Sequence, residues 1–369
     1  MKRKIDIIWN MSLICPWDCS ICCVDAVHVA NTNSLVTLKS NNLKVVQNFN
    51  NNGTSSIYDQ AVEKRQSEGL ELNLEQKIRV LNNLGSNDIK IDFSGGDPLV
   101  VAENVEVIRE ASRRFGKDSI HISTTGAGLS KYKPEEIAPF IGQLNFSYDA
   151  SNGVYNPNRP ERYNNTNLKK AGAFAEANVL TRAETPLSVR NIEPQNLQLI
   201  YENLNRAGTH RVLIMRLFLV GRGIDKLKEI PTRDQYVRAI EIFKELESKY
   251  GKPSVILQCA LKHLYSQDTD VNPCDLFRES FAITANGLLI TSAWAVGHNE
   301  QPLDNAFVLG NIAKDHIDNI LNSQKARYYQ EHVNDNFGHC KIFAFFNSGR
   351  DKPIDRIFDK TDPLYTQNN

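Results

Sequence analysis

The sequence predicts an α/β fold: an incomplete TIM-type barrel of six strand–helix units, followed by a small C-terminal α+β subdomain. Three observations lead there. Short apolar runs alternate with amphipathic stretches of helical period through the first two thirds of the chain. Helix start and stop signals fall where that alternation requires them. Beyond Gly251 the rhythm gives way to short strands and loops, with a last helix near Asp315–Val333. The expected division is therefore residues 1–250 for the barrel and 251–369 for the appended subdomain.

Taken in order, the strand candidates are Ile5–Met11, Ile89–Phe93, Ser119–Ser123, Leu144–Tyr148, Val179–Ala183 and Val212–Leu219. Helical patterns lie between them at Leu74–Leu84, Ala102–Phe115, Leu168–Asn178 and Pro194–Arg206. Asn73 with Gln76 forms a potential capping box, and Gly85 a stop. Thr232 with Gln235 opens a further helix in the same way, running to about Tyr250 before Gly251. Strands separated by helices imply parallel pairing with crossovers, and a barrel of that kind carries its chemistry at the carboxyl ends of its strands. An Asn-rich insertion at about 24–69 breaks the pattern, including the run Asn48–Asn52. It either covers the active site or forms a flexible surface excursion. No internal repeat of fixed period is present.

The 369 residues are 41% hydrophobic, enough for a sizeable core. Basic and acidic residues number 43 each, so nothing demands nucleic acid as a partner. No apolar run reaches about 18 residues, which argues against a membrane-spanning helix. The start, Met1-Lys2-Arg3-Lys4, is basic, but Asp6 and Asn10 interrupt the apolar stretch that a signal peptide needs. A cytoplasmic protein, without membrane partners, is expected. Seven cysteines, an odd number, make a poor disulfide framework and point to reduced thiols.

Four of those cysteines are crowded into Cys15-Pro16-Trp17-Asp18-Cys19-Ser20-Ile21-Cys22-Cys23. Cys15, Cys19 and Cys22 can converge on one metal centre and leave a fourth coordination place unfilled. A cluster that only carries electrons takes four protein ligands, whereas a three-ligand cluster keeps one iron open for a substrate or cofactor. A zinc site would add a second cysteine pair or spaced histidines, and only His28 stands nearby. Zinc or redox thiols remain the plainer alternatives to iron–sulfur.

Cys15-x3-Cys19-x2-Cys22 resembles the defining motif of the radical S-adenosylmethionine (SAM) superfamily. The resemblance implies a [4Fe–4S] cluster on the three thiolates. Its open iron would chelate SAM, whose reductive cleavage releases a 5′-deoxyadenosyl radical. Ile21 stands where relatives commonly have an aromatic residue near the adenine. Ser94-Gly95-Gly96-Asp97 resembles the element that binds the SAM amino group, with Asp97 offsetting the amine and the glycines allowing close approach. A Gly-Gly turn by itself is more often structural. Thr124-Thr125-Gly126 is similar to the turn that follows the third strand in relatives. Ser147 and Asp149 resemble the element that holds the ribose or carboxylate of SAM. Arg159 matches an arginine that pairs with the methionine carboxylate, with Arg162 as a competitor. Arg216-Leu217-Phe218-Leu219-Val220-Gly221-Arg222-Gly223 looks like the closing strand, with Arg216 toward the cofactor; Arg182 and Glu184 are further pocket candidates. Each also reads as an ordinary ion pair or cap.

The C-terminal region resembles a degenerate SPASM or twitch extension. Cys274 and Gly287 keep its opening spacing, but Ser292 stands where the next cysteine belongs. Val308-Leu309-Gly310-Asn311-Ile312 continues the likeness, and afterwards only Cys340 remains, with Cys259 upstream. Serine is a poor iron ligand, so an auxiliary iron–sulfur cluster is not expected. Cys259 is instead a candidate hydrogen-atom donor to a substrate radical.

The first functional expectation is a radical SAM enzyme that cross-links, epimerises or cleaves a ribosomally made peptide. Because the first barrel strand begins near residue 5, leader recognition would fall to a separate partner or to the Asn-rich insertion. The alternative is a radical SAM dehydrogenase, epimerase or dehydratase acting on a sugar, aminoglycoside or nucleoside. Either would draw an electron from a flavodoxin- or ferredoxin-like reductant. A non-catalytic iron–sulfur or zinc protein is a third reading, which gives the Ser94–Asp97 element no use.

Overall fold

Strand β1, Lys4–Ser12, sets the layering of the molecule. Its alternation sends Ile5, Ile7 and Trp9 into the core beneath the helices, while Asp6, Ile8 and Asn10 face the interior of the barrel. These features belong to a computed structural model that describes residues 2–150, 157–265, 271–274 and 276–365.

The chain next leaves the barrel. β2 (Ile14–Cys15), β3 (Val27–Thr32), β4 (Leu35–Ser40) and β5 (Val45–Asn50) form a separate sheet in the order β2-β3-β4-β5, followed by helix α1 (Ile57–Ser67). The insertion is thus an ordered sheet. Val27, Val29, Val36 and Leu38 pack in one cluster with Cys15 and Trp17, so its inner face supports the cysteine loop.

The barrel resumes as α2 (Leu74–Asn83), β6 (Asp88–Gly95), α3 (Ala102–Phe115), β7 (Ile120–Thr124), α4 (Pro134–Ile137) and β8 (Gln143–Ser147). It continues through α5 (Tyr163–Glu176), β9 (Leu180–Leu187), α6 (Pro194–Arg206), β10 (Arg211–Arg216), α7 (Arg233–Tyr250), β11 (Ser254–Leu257) and α8 (Cys259–Tyr265). The last part comprises β12 (Ser280–Ile283), β13 (Leu288–Ile290), β14 (Val308–Asn311), α9 (Ile317–Leu321), α10 (Gln324–His332), α11 (Lys341–Asn347) and α12 (Pro353–Ile357). Among the described residues, ten strands form one sheet in the order β11-β10-β9-β8-β7-β6-β1-β12-β13-β14. Pairing is parallel from β11 through β12. The six expected strands are its centre, and the sheet has two ends, as an incomplete barrel requires. β11 extends one side. β12 pairs with β1, Asp6 opposite Ser280, so the C-terminal strands continue the same sheet.

Both sequence-predicted capping boxes are present, at Asn73–Gln76 and Thr232–Gln235. Gly251 ends α7 at φ +76°, a left-handed turn suited to glycine. Two helices differ from expectation. α5 starts at Tyr163 rather than Leu168, because tertiary bonds hold its polar first turn: the Asn167 amide donates to the Thr125 and Ser147 carbonyls, each at 2.9 Å. The expected helix over Asp315–Val333 is two, since the Ser323 hydroxyl accepts the Ala326 N–H and starts α10 anew. No helix among the described residues is long and apolar enough to cross a membrane.

Candidate active site

The cysteine loop begins inside a strand. Cys15 in β2 pairs with His28 of β3 and is buried, whereas Cys19 and Cys22 are half-buried. Each of the three sulfurs receives one N–H. The Trp17 amide donates to Cys15 Sγ at 3.4 Å, the Ala26 amide to Cys22 Sγ at 3.3 Å, and Arg159 Nε to Cys19 Sγ at 3.4 Å. Donors aimed at sulfur favour thiolate and tune the potential of any iron held there. Burial pushes the Cys15 thiol up, and neighbouring Cys19 adds to the shift; burial also raises Cys19. Both shifts oppose ionisation, which a bound cation would offset. Among the described residues no three His, Cys, Asp or Glu side chains converge as a single ion requires.

The loop is fixed by residues that the motif reading passed over. Arg222, 1% exposed, reaches from beyond β10 into the loop. Its Nε donates to Asp25 at 2.9 Å, one Nη to the Cys19 carbonyl at 3.0 Å, the other to the Ala26 carbonyl, and its amide to the Cys22 carbonyl at 2.8 Å. Gly221 precedes it at φ +53°, and a Cβ there would lie 2.4 Å from the Cys22 oxygen. Asp25 also accepts the amides of Asn42 in the insertion and Asn299 in the C-terminal part. The signal was visible as an arginine flanked by two glycines, but its partner lies 197 residues away.

Beneath the loop lies a cavity of about 490 Å³. Cys15, Cys19 and Cys22 line it together with Ile21, Ser94, Gly95, Gly96, Thr124, Thr125 and Ser147. Arg182, Glu184, Arg216 and Cys259 also reach it. The structure thus gathers most of the expected residues around one space. The two glycines also meet a constraint of the protein's own packing. Cβ atoms on Gly95 and Gly96 would come within 2.3 Å of the Ser12 oxygen and 2.2 Å of the Ile14 oxygen. Close approach to the protein's own backbone thus requires glycine at both positions.

Four expected cofactor residues are otherwise engaged. Asp97 is fully buried and accepts from the Leu99 amide (3.1 Å), the Thr124 and Thr125 hydroxyls (2.9 and 2.6 Å) and the Gly128 amide (3.1 Å). Its carboxylate fastens the β7 turn to the β6 turn. Asp149 pairs with Arg159 at 2.7 Å and accepts the Tyr163 hydroxyl, behind Cys19. Neither lines the cavity; their action on the site runs through the Cys19 sulfur. Arg216 borders the cavity, but its guanidinium pairs with Asp362 at 2.8 Å and lies 3.3 Å from the Phe343 ring centre. That ties the barrel to the C-terminal segment.

The deeper wall is polar where such barrels are usually filled by branched apolar side chains. Asp92 accepts from Ser123 and Asn145, each at 2.8 Å, and Arg182 lies 3.0 Å from Glu184 and 3.6 Å from Asp92. Burial pushes Asp92 up to about 6 against the pull of Arg182, and burial brings His121 down to about 3. Elsewhere, Cys259, Cys274, Ser292 and Cys340 surround one void of about 10 Å³. That is room for about one water.

No protein-family profile and no curated sequence matches the chain. Solved structures do. Streptococcus suis SuiB bound to S-adenosylmethionine superposes with a TM-score of 0.62 at 13% identity, covering 88% of this chain and 66% of SuiB. SuiB bound to precursor peptide SuiA gives 0.61. The enzyme anSMEcpe with AdoMet and the Cp18Cys peptide gives 0.56 at 12% identity, covering 88% of this chain and 82% of that one. The fold is that of radical SAM enzymes. At such identity the likeness extends to architecture, and the chain spans just under two thirds of SuiB. The parallel sheet of the radical SAM fold accounts for the strand order found here.

Proposed function

We propose that this chain is an enzyme that reductively cleaves SAM and abstracts a hydrogen atom from a ribosomally made peptide. The observation that carries the reading is local: three thiols, each met by an N–H, open onto the cavity that Ser94, Gly95, Gly96 and Ser147 also line. Cys15, Cys19 and Cys22 would hold a [4Fe–4S] cluster, which together with SAM supplies one electron and the 5′-deoxyadenosyl radical. Arg159 donates to the Cys19 sulfur and draws charge from it. Ile21, Trp17 and Ser147 line the same cavity and would face the bound cofactor, Ser147 with its hydroxyl. Cys259 stands at the first turn of α8, on the cavity wall, where its thiol can give a hydrogen atom to a substrate radical. A flavodoxin- or ferredoxin-like protein is the expected electron source. The peptide assignment draws on SuiB and anSMEcpe, both solved with peptides bound.

The test is formation of 5′-deoxyadenosine by the anaerobically reconstituted, chemically reduced protein. Turnover that disappears in the Cys15/Cys19/Cys22 triple-Ala variant supports the reading. Absence of cofactor cleavage from a fully iron-loaded wild type would sink it.

A further inference from the structure

β5 is the last strand of the insertion sheet, and nothing among the described residues pairs with its outer edge. Val45 and Val46 are 40% and 51% exposed. The phase of the ladder identifies which backbone groups face outward. The Asn51 amide donates to the Ser34 carbonyl at 3.0 Å, in step with Asn50 opposite Leu35 and Phe49 opposite Val36. Bonded and non-bonded pairs alternate in an antiparallel ladder. Val45, Gln47 and Phe49 therefore bond to β4, and Val46, Asn48 and Asn50 present their N–H and C=O groups to solvent.

Proteins blunt such edges with charges, prolines or bulges. Val45-Val46-Gln47-Asn48-Phe49-Asn50 has no charge and no proline, and its register with β4 is unbroken. The charge of the segment itself is one-sided: between Asp25 and Asp59 there is no acidic residue, while Lys39 sits opposite Val46 and Lys44 precedes β5.

We propose that the outer edge of β5 docks an extended peptide with acidic flanks, which adds to the insertion sheet as a further strand. Six residues span about 20 Å, a strip one strand wide and well short of the roughly 1,000 Å² that two folded chains need. A peptide needs only main-chain bonds and a charge match, which this edge supplies. The further assignment of that peptide as the recognition segment of the substrate rests on the proposed function. Cys15 lies in β2, so the docked strand would be four strand spacings, about 19 Å, from the strand of the first cysteine. An extended chain covers that in about six residues. The modified residue should then lie at least about that far from the docking segment.

The probe is a fluorescein-labelled, capped Glu-Val-Thr-Val-Thr-Val-Glu peptide, with a Lys-for-Glu version as its counterpart. Fluorescence polarisation should show the acidic probe binding at least tenfold more tightly than the basic one. Hydrogen exchange should slow at the amides of Val46, Asn48 and Asn50 and stay unchanged at Val45, Gln47 and Phe49. Asn48→Pro removes an outward donor without touching the β4 ladder, and should weaken binding at least tenfold while melting near wild type. Asn48→Ala keeps the donor and should bind within twofold of wild type. Wild-type binding by Asn48→Pro, no binding by wild type, or protection of the same amides by self-association alone would each overturn the proposal. Cofactor cleavage is measured separately in the same preparation. Its presence without edge binding defeats this inference alone; its absence defeats the proposed function and with it the assignment of the peptide as substrate, but not the docking edge.

Discussion

Arg222 and Asp25 show how much of the site rests on single side chains. Both are buried, and they pair at 2.9 Å beside the cysteine carbonyls. Removing one partner of such a pair leaves an unmatched buried charge, at a cost of about 3–5 kcal/mol. Arg222→Met is expected to lose stability in that range in urea unfolding. It should also retain less iron per chain after reconstitution, because the Cys19 and Ala26 carbonyls lose their side-chain donor. Glu300 makes a pH-dependent contribution. Burial pushes its carboxyl from an ordinary 4.5 up to about 8, although Asn10 and the Ala285 amide donate to it. Between those values the folded chain keeps a proton that the unfolded chain has released. Stability therefore falls as pH rises through that window and levels off above about 8. Glu300→Gln should gain on wild type steadily across the same interval in thermal melts; parallel curves would remove Glu300 as the cause. Cys259→Ala is expected to leave 5′-deoxyadenosine formation near wild type while product yield drops at least tenfold. Full product formation in that variant would exclude the thiol as donor.

Element by element, the barrel was legible in the sequence because local and tertiary preferences agree along it. Asn73–Gln76 and Thr232–Gln235 cap the helices that they announce, and the outward faces of the strands alternate as a half-buried sheet must. The strand-end residues lining the cavity were legible for the same reason. What could not be read were the partners of polar groups. Asp97 looks like a ligand because it follows two glycines, but its four donors come from segments up to 31 residues away. Arg216 is claimed by Asp362 across 146 residues. The start of α5 was missed because Asn167 and its carbonyl partners outweigh weak propensity. The β6 turn gives a direct test at this scale. Gly96→Ala would drive a Cβ to 2.2 Å from the Ile14 oxygen, against backbone that cannot swing away. The strand ending in Cys15 would have to shift. Iron loading should fall several-fold with little change in far-UV circular dichroism, whereas a merely flexible turn would tolerate the methyl group.

At the scale of the molecule, the cysteine loop is where three parts of the chain meet. The insertion sheet starts with Ile14–Cys15, the turn after β10 delivers Arg222, and Asn299 brings the C-terminal part to Asp25. All these bonds are made by protein groups alone, and the Arg216–Asp362 pair fastens the far side independently. The junction is therefore expected to persist when metal is removed, unlike in small domains whose folding free energy comes from metal binding. Chelating the iron should leave the ten-stranded sheet intact, with far-UV circular dichroism unchanged and the melting temperature lowered by only a few degrees. Hydrogen exchange should rise at the Trp17 and Ala26 amides, whose acceptors are cysteine sulfurs, and stay slow at Arg222, whose acceptor is the Cys22 carbonyl. Global unfolding on chelation would show that the cluster, and not the Arg222–Asp25 junction, joins the parts.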